Sequence, residues 1–323
     1  METVLESLGK IGIVPVIKID DAARAVPLAR ALAAGGIPCA EVTFRTEAGA
    51  EAIRRIAAEV PEVLLGAGTV LTIEQVDRAI AAGAKFIVSP GLNPKVVSYC
   101  TQKGIPIVPG CSNPSDIEQA LELGLDTVKF FPAEQAGGLD YIKAIAAPYT
   151  QVKFMPTGGI NQNNIAKYIA FDKIVACGGS WMVSADLINA GEFDRISALC
   201  REALLSMLGF SMVHIGINTP NAEAGLKAAN LFSRLFGFAV KDGAGSAFAG
   251  EGLEIMKAPG RGTHGHIAIA ANSVFRATAW FERQGIALDK SSIKTDPAGK
   301  MTLIYLQDEI GGFGVHLVQS MRN

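Results

Sequence analysis

The chain reads as an α/β protein, a (β/α)8 TIM barrel followed by an α+β domain of paired βαββ units. Two observations predict the barrel. Eight short apolar or β-branched runs alternate with amphipathic, helix-forming stretches between residues 11 and 180, and the runs are almost continuously apolar, as strands of a parallel sheet buried on both faces must be. A third observation predicts the second domain: after residue 208 the spacing changes to longer strands grouped around two helices. A doubly wound open sheet is the alternative for the first part. Against it, no GxGxxG follows the first strand, and eight alternating units fill a barrel without remainder.

The eight runs are IGIVPVIK (11–18), CAEVTFR (39–45), VLLGAGTV (63–70), KFIVSPG (85–91), IPIVPG (105–110), TVKFFPA (127–133), VKFMPTGG (152–159) and KIVACGGS (173–180). Some helices between them carry visible start signals. Asp20-Asp21 precedes AARAVPLARALAA, and Asn113 precedes Pro114, which as the first helical residue loses nothing by lacking an N–H. A final barrel helix, FDRISALCREALLSML (193–208), runs without a Pro/Gly/Ser-rich linker into a strand near Met212. The expected domains are therefore 1–208 and 209–323. The second reads as strand MVHIGINT, helix AEAGLKAANLFSRLFG (222–237), strands near FAVKDG and GLEIMKA, then strand GHIAIAA (265–271), helix VFRATAWFERQG (274–285), and strands TLIYLQ and GVHLVQ. This is an internal repeat of pattern rather than of identity.

Composition narrows the function. With 29 basic and 31 acidic side chains in 323 residues, the net charge of −2 excludes the basic surface a nucleic-acid binder needs. The longest apolar stretches fall short of the roughly 20 residues of a membrane span, and METVLESLGK has no basic region leading into an apolar one. The expectation is a cytoplasmic protein with a small-molecule partner. All five cysteines (Cys39, Cys100, Cys111, Cys177, Cys200) precede residue 201, and all four histidines (His214, His264, His266, His316) follow residue 213. The odd cysteine count and the absence of CxxC argue for buried thiols rather than a disulfide framework or zinc ribbon.

Candidate chemistry in the first domain lies where strands end. Thr157-Gly158-Gly159 follows the seventh strand and Gly178-Gly179-Ser180 the eighth, the two loops in which barrels commonly hold phosphate. Glycine lets backbone N–H groups approach an anion, and a following helix start adds a favourable dipole. On the second strand, period-two alternation puts Glu41, Thr43 and Arg45 on one face and Val42 and Phe44 on the other. Glu41 and Arg45 are about 13 Å apart along an extended chain, too far for an easy direct pair, so separate roles are expected. A lysine among apolar residues has its amine form favoured by desolvation and is then a competent nucleophile towards a ketone. Lys129, Lys153 and Lys18 all sit in such runs, and pattern alone leaves all three open.

Glu41-Val-Thr-Phe-Arg45-Thr, Gly66-Ala-Gly-Thr69-Val, Ser89-Pro-Gly91, Val128-Lys129-Phe-Phe-Pro-Ala-Glu134, Pro156-Thr-Gly-Gly159-Ile and Gly178-Gly-Ser-Trp181 occur in that order. Over roughly residues 5 to 205 the chain thereby resembles the 2-keto-3-deoxy-6-phosphogluconate (KDPG) aldolase family, which also splits 4-hydroxy-2-oxoglutarate. The resemblance implies a class I lyase without a metal cofactor, a place in carbohydrate metabolism by the Entner–Doudoroff route, and a homotrimeric barrel. It assigns Lys129 as the Schiff-base lysine, Glu41 as the general acid/base, and Arg45 with Thr69 to the pyruvate carboxylate. It further implies that Pro90 and Phe131 contact substrate and that Gly158, Gly159, Gly179 and Ser180 hold phosphate.

In the second domain His214, Glu254, His266 and His316 sit on strands whose opposite faces are apolar. Three imidazoles and a carboxylate form a ligand set that suits Zn, Ni, Mn or Fe. His264, two residues from His266, is a substitute ligand or a solvent-exposed loop residue. His214-Ile-Gly-Ile, Phe232-Ser-Arg-Leu-Phe-Gly-Phe238, Leu253-Glu-Ile-Met256, Gly265-His-Ile-Ala-Ile269 and Gly314-Val-His-Leu317 are similar to the glyoxalase, or vicinal oxygen chelate, superfamily. Two departures stand out: the last ligand position, commonly Glu, is His316, and Asp308-Glu-Ile-Gly-Gly312 replaces the usual Asp-Pro-Asp-Gly turn. The resemblance implies a metal-dependent isomerase, lyase or dioxygenase; the alternative is a non-catalytic binding or oligomerisation module.

Overall fold

The computed structural model describes residues 2–320. It divides the chain into two compact units, Met1–Met207 and Leu208–Asn323. The first opens with α1 (Val4–Ile11), whose N-terminus is closed by a reciprocal capping box between Thr3 and Glu6. Strands and helices then alternate: β1 (Ile13–Ile17), α2 (Ala25–Ala34), β2 (Cys39–Thr43), α3 (Ala48–Glu59), β3 (Leu64–Gly68), α4 (Ile73–Ala82), β4 (Phe86–Val88) and α5 (Pro94–Lys103). They continue with β5 (Ile107–Val108), α6 (Pro114–Glu122), β6 (Thr127–Phe130), α7 (Gly138–Ala146), β7 (Lys153–Pro156), α8 (Ile165–Ile169), β8 (Cys177–Gly179), α9 (Ala185–Ala190) and α10 (Phe193–Leu208).

Each strand is shorter than the run that contains it. Pro90-Gly91 and Pro109-Gly110 lie beyond the ends of β4 and β5, where proline has no N–H to offer a ladder. Asn113 caps α6 through the N–H of Asp116, with Pro114 in the first turn, as the sequence implies. The start signal at Asp21 instead caps a 3₁₀ turn, Ala22–Arg24, ahead of α2. Pro27, within the first turn of α2, cannot donate to the carbonyl four residues back, which favours the tighter turn there.

All strand pairs in this unit are parallel. Six strands run in the order β5-β4-β3-β2-β1-β8, and β6 pairs with β7. Isolated parallel bridges at Gly110–Lys129 and Thr157–Gly178 carry the order on beyond β5 to β6 and from β7 to β8. The result is a TIM-barrel-like sheet wrapped in helices, with Ile13, Val42, Ile87, Val108, Phe130 and Phe154 buried on it.

The second unit holds β9 (Ser211–Ile217), α11 (Ala222–Phe236), β10 (Val240–Asp242), β11 (Ser246–Ala249), β12 (Leu253–Met256), β13 (Gly265–Ala271), α12 (Val274–Arg283), β14 (Leu288–Thr295), β15 (Met301–Leu306) and β16 (Phe313–Gln319). These strands form one mostly antiparallel sheet in the order β10-β11-β12-β9-β13-β16-β15-β14. Within it β12 runs parallel to β9 and β16 parallel to β13. Ala229 of α11 packs with Ala247 and Ile255, flanked by Leu226, Phe232 and Leu253.

The paired βαββ expectation needs one correction: each helix is followed by three strands. In the first repeat, turns at Gly243–Gly245 and at Gly250–Gly252 cut a short polar-apolar stretch into three strands. In the second, β14 is the missed strand. Its sequence, LDKSSIKT, lies at the sheet edge and is mostly exposed, so it carries no apolar alternation to betray it. Residues 321–323 of the expected second domain lie outside the described residues. Among the described residues, no helix is long and apolar enough to cross a membrane.

Candidate active site and histidine cluster

The three lysines that pattern leaves open separate in the structure. Lys18 is exposed and pairs with Asp20 at 2.7 Å, and Lys153 is exposed at the start of β7. Lys129, in the middle of β6, is only 5% exposed. Its Nζ lies 3.3 Å from Oε1 of Glu41, itself 1% exposed on β2. The sheet thus brings an amine and a carboxylate together in its interior, where each is the other's charge partner. A Cβ on Gly68 of β3 would fall 2.3 Å from Oε1 of Glu41. Glycine in the neighbouring strand therefore makes the room the carboxylate occupies. The second carboxylate oxygen, Oε2, is buried without a hydrogen-bond partner among the described residues. An oxygen left in that condition is available to a ligand hydroxyl or a water.

β2 ends at Thr43, so Arg45 stands beyond the strand, exposed, with its Nε donating to Oγ1 of Thr43 at 3.2 Å. Thr43 in turn donates to the carbonyl of Ile17 at 2.8 Å. Thr43, placed by sequence on the same face as Glu41, thereby fixes the guanidinium stem. Thr69, just after β3, has φ 57° and is the one non-glycine residue in the left-handed region among those described. For a β-branched residue that conformation costs about 1–3 kcal/mol. The sequence gives no signal of it. Phe131 is 41% exposed, with its ring centroid 5.6 Å from the Lys129 ammonium, and Pro90 is exposed after β4.

Gly158 and Gly159 have φ of 99° and 78°, which other residues rarely adopt. A Cβ on Gly159 would lie 2.6 Å from Cβ of Glu134, and one on Gly179 would lie 2.0 Å from the Trp181 ring. Ser180 follows β8 and is exposed. The helix-start contribution expected at these loops is corrected: α8 begins only at Ile165 and α9 at Ala185, and while Thr157-Gly158-Gly159 does follow β7, Gly178 and Gly179 lie within β8 and only Ser180 follows it.

In the second unit, the four expected ligand residues come together on β9, β12, β13 and β16, which are neighbours in the sheet. His214 Nε2 and His266 Nε2 are 3.0 Å apart, and Glu254 Oε2 lies 3.1 Å from both. Ligand nitrogens of His214, His266 and His316 all fall within 4.8 Å of one another. Gly216 stands opposite both His266 and Glu254, and a Cβ there would lie 2.1 Å from Cε1 of His266. Hydrogen bonds from His214 and His266 hold the Glu254 carboxyl well below the usual carboxylate range. Burial lowers His316 to about 4, so it presents a neutral imidazole. Two further contributors escape sequence reading. Ser246 donates to Glu254 Oε1 at 2.6 Å, and the Tyr305 ring lies 4.7 Å from that of His316. His264 is exposed and packs on Phe313 away from the cluster.

Three comparisons bear on the first unit. The family model for KDPG and KHG aldolase matches residues 4–199. A 2-dehydro-3-deoxy-phosphogluconate aldolase of Treponema pallidum is 54% identical over 204 residues, 63% of this chain and 97% of that protein. Among solved structures, the KDPG aldolase of Legionella pneumophila, with pyruvate captured as a covalent carbinolamine, superposes with a TM-score of 0.60 at 38% identity. That match covers 62% of this chain and 97% of the other. The KDPG aldolase of Zymomonas mobilis ZM4 with 3-phosphoglycerate gives a TM-score of 0.57 at 41% identity, covering 62% of this chain and 94% of the other. A buried lysine–carboxylate pair in a TIM-barrel-like parallel sheet and a family model spanning residues 4–199 agree: the chain belongs to the KDPG and KHG aldolase family.

Proposed function

We propose that the first unit, read as a closed (β/α)8 barrel over residues 1–208, is a class I aldolase. It cleaves KDPG to pyruvate and glyceraldehyde 3-phosphate, and 4-hydroxy-2-oxoglutarate to pyruvate and glyoxylate. The observation that carries this reading is the buried contact between Lys129 and Glu41. The Lys129 amine adds to the C2 ketone and water leaves, forming an iminium. That iminium accepts the electron pair of the C3–C4 bond as Glu41 takes the C4 hydroxyl proton and the aldehyde departs. Protonation of the enamine at C3 and hydrolysis release pyruvate and restore the amine. Arg45 and Thr69 hold the pyruvate carboxylate, Arg45 by its forked donors. Pro90 and Phe131 line the mouth, while Gly158, Gly159, Gly179 and Ser180 take the phosphate. The protein works in the cytoplasm, in the Entner–Doudoroff route, as a homotrimer, which light scattering on the purified chain would test.

Borohydride reduction in the presence of pyruvate is expected to add a covalent mass to the peptide holding Lys129. Label on Lys153 or Lys18 would sink the assignment. A coupled pyruvate-release assay comparing KDPG with 4-hydroxy-2-oxoglutarate ranks the two substrates.

A second reading concerns residues 209–323, taken as a glyoxalase-like domain of two βαβββ repeats that holds a divalent metal. The close triangle of His214, His266 and Glu254 donor atoms favours it. Its edges of 3.0–3.1 Å are near those of a coordination polyhedron with bonds of about 2.1 Å. His316 would be the fourth ligand, and Zn, Ni, Mn or Fe suits the set. When bound, such a metal supplies Lewis-acid polarisation of a coordinated oxygen. Metal analysis with a His266→Ala control tests this: no stoichiometric metal after supplementation ends it. Activity that survives Lys129→Ala but not EDTA would make this unit an isomerase, lyase or dioxygenase. Loss of assembly in the 1–208 fragment would favour an oligomerisation role.

A further inference from the structure

We infer that the hydrogen bond from Tyr168 to Glu134 is a positioning device that fixes the loop after β6 against the glycine loop after β7, and so favours a phosphorylated substrate. The inference rests on the aldolase reading above. Tyr168 is a fully buried side chain of α8, and its hydroxyl donates to Oε1 of Glu134. Glu134 ends the segment Phe131-Pro132-Ala133-Glu134 that leads away from the lysine-bearing strand. Lys167 Nζ stands 3.9 Å from the same carboxylate oxygen.

The backbone shows what this anchors. The N–H of Ala133 donates to the carbonyl of Thr157 at 2.8 Å, and that of Glu134 to the carbonyl of Gly158 at 3.1 Å. The two loops are therefore stitched together where Gly158 and Gly159 adopt their left-handed conformations. Close packing completes the arrangement. Gly138, at φ 64°, leaves space for the pair: a Cβ there would lie 3.3 Å from both Glu134 Oε1 and the Tyr168 hydroxyl.

Electrostatics gives the arrangement its direction. A carboxylate beside loops that must bind an anion is repulsive unless held away and compensated. Tyr168 from within and Lys167 from outside do both. Removing the hydroxyl leaves Glu134 able to swing towards the phosphate and loosens the Gly158 carbonyl contact. Neither change reaches the Lys129–Glu41 contact, so the loss falls on the phosphate end of the substrate.

The test uses the full chain. Wild-type enzyme is first assayed for pyruvate release from KDPG and for borohydride trapping of pyruvate; failure there refutes the aldolase reading, not this inference. For Tyr168→Phe, KM for KDPG is expected to rise about 10- to 100-fold, the range set by one buried hydrogen bond to a charged group. Its kcat, pyruvate trapping and KM for the unphosphorylated 4-hydroxy-2-oxoglutarate should stay within about twofold. Glu134→Gln keeps an acceptor for Tyr168 and should remain near wild type. If Tyr168→Phe does not fold, Glu134→Ala, which removes the anchor together with its charge, must still raise KM for KDPG selectively, by a smaller factor. Equal losses on both substrates, or no change in KM for KDPG, overturn the inference.

Discussion

The two constellations are built in opposite ways. In the first unit, Lys129 and Glu41 are 88 positions apart in sequence and meet across the interior of a curved parallel sheet. In the second, His214, Glu254, His266 and His316 come from four adjacent strands and meet on one sheet, in a gap left by the missing side chain of Gly216. The first pair is matched one to one: a single amine and a single carboxyl, buried together, are each other's polar partner. The second set is not. A single carboxylate faces imidazoles of which His316 is held neutral by burial, and the two facing Nε2 atoms need a proton or a cation between them. A site that has its own counter-charge is suited to covalent and proton-transfer chemistry. Imidazoles converging on one carboxylate form a donor set suited to ligation.

If the two are separable, each should break alone. The largest effect is expected for Lys129→Ala, which removes the nucleophile. Pyruvate release should fall by on the order of 10⁴-fold or more, and borohydride trapping should vanish. Metal content of the second unit should be unchanged, and a parallel loss of both would mean that the variant is misfolded. Next is Glu41→Gln, which keeps the shape and removes the base. Here kcat should fall about 10²- to 10⁴-fold while pyruvate trapping on Lys129 persists at a reduced rate. Complete loss of trapping would move Glu41 from proton transfer to lysine activation. Smaller again is Gly216→Ala. The added methyl would overlap the His266 ring, so metal affinity should drop about 10- to 100-fold by calorimetric titration, with aldolase activity intact. Unaltered affinity would separate the cluster from metal binding.

What was legible in the sequence differs between the units for the same physical reason. The barrel runs are mostly apolar and several lead into glycine or proline, so their positions could be read, and Glu41 and Arg45 stood out as charges in the second run, although Arg45 falls just beyond β2. Which lysine matters could not be read, because Lys18, Lys129 and Lys153 share one local pattern and differ only in what the folded sheet puts beside them. Thr69's left-handed backbone and the reach of Tyr168 to Glu134 are likewise properties of tertiary packing. In the second unit, strict alternation made the histidine positions visible. Polar β14 at the sheet edge, with nothing to bury, was invisible.

The cysteines draw the smallest effect from the comparison, and a negative one. All five lie in the first unit, all are buried, and none is in a disulfide. Burial raises the Cys100 thiol to about 11 and those of Cys111 and Cys200 to about 12. A raised thiol pKa favours the protonated form, so at pH 7 to 9 these groups stay thiols, and only above that range does the folded protein begin to offer thiolates. Native enzyme should therefore react with iodoacetamide far more slowly than the unfolded chain at every pH between 7 and 9, and should keep its aldolase activity throughout. Unfolding in guanidinium should expose five reactive thiols. Rapid native labelling with loss of pyruvate release would instead place a reactive cysteine at the lysine site, and would undo the division of chemistry between an amine–carboxylate pair in one unit and an imidazole cluster in the other.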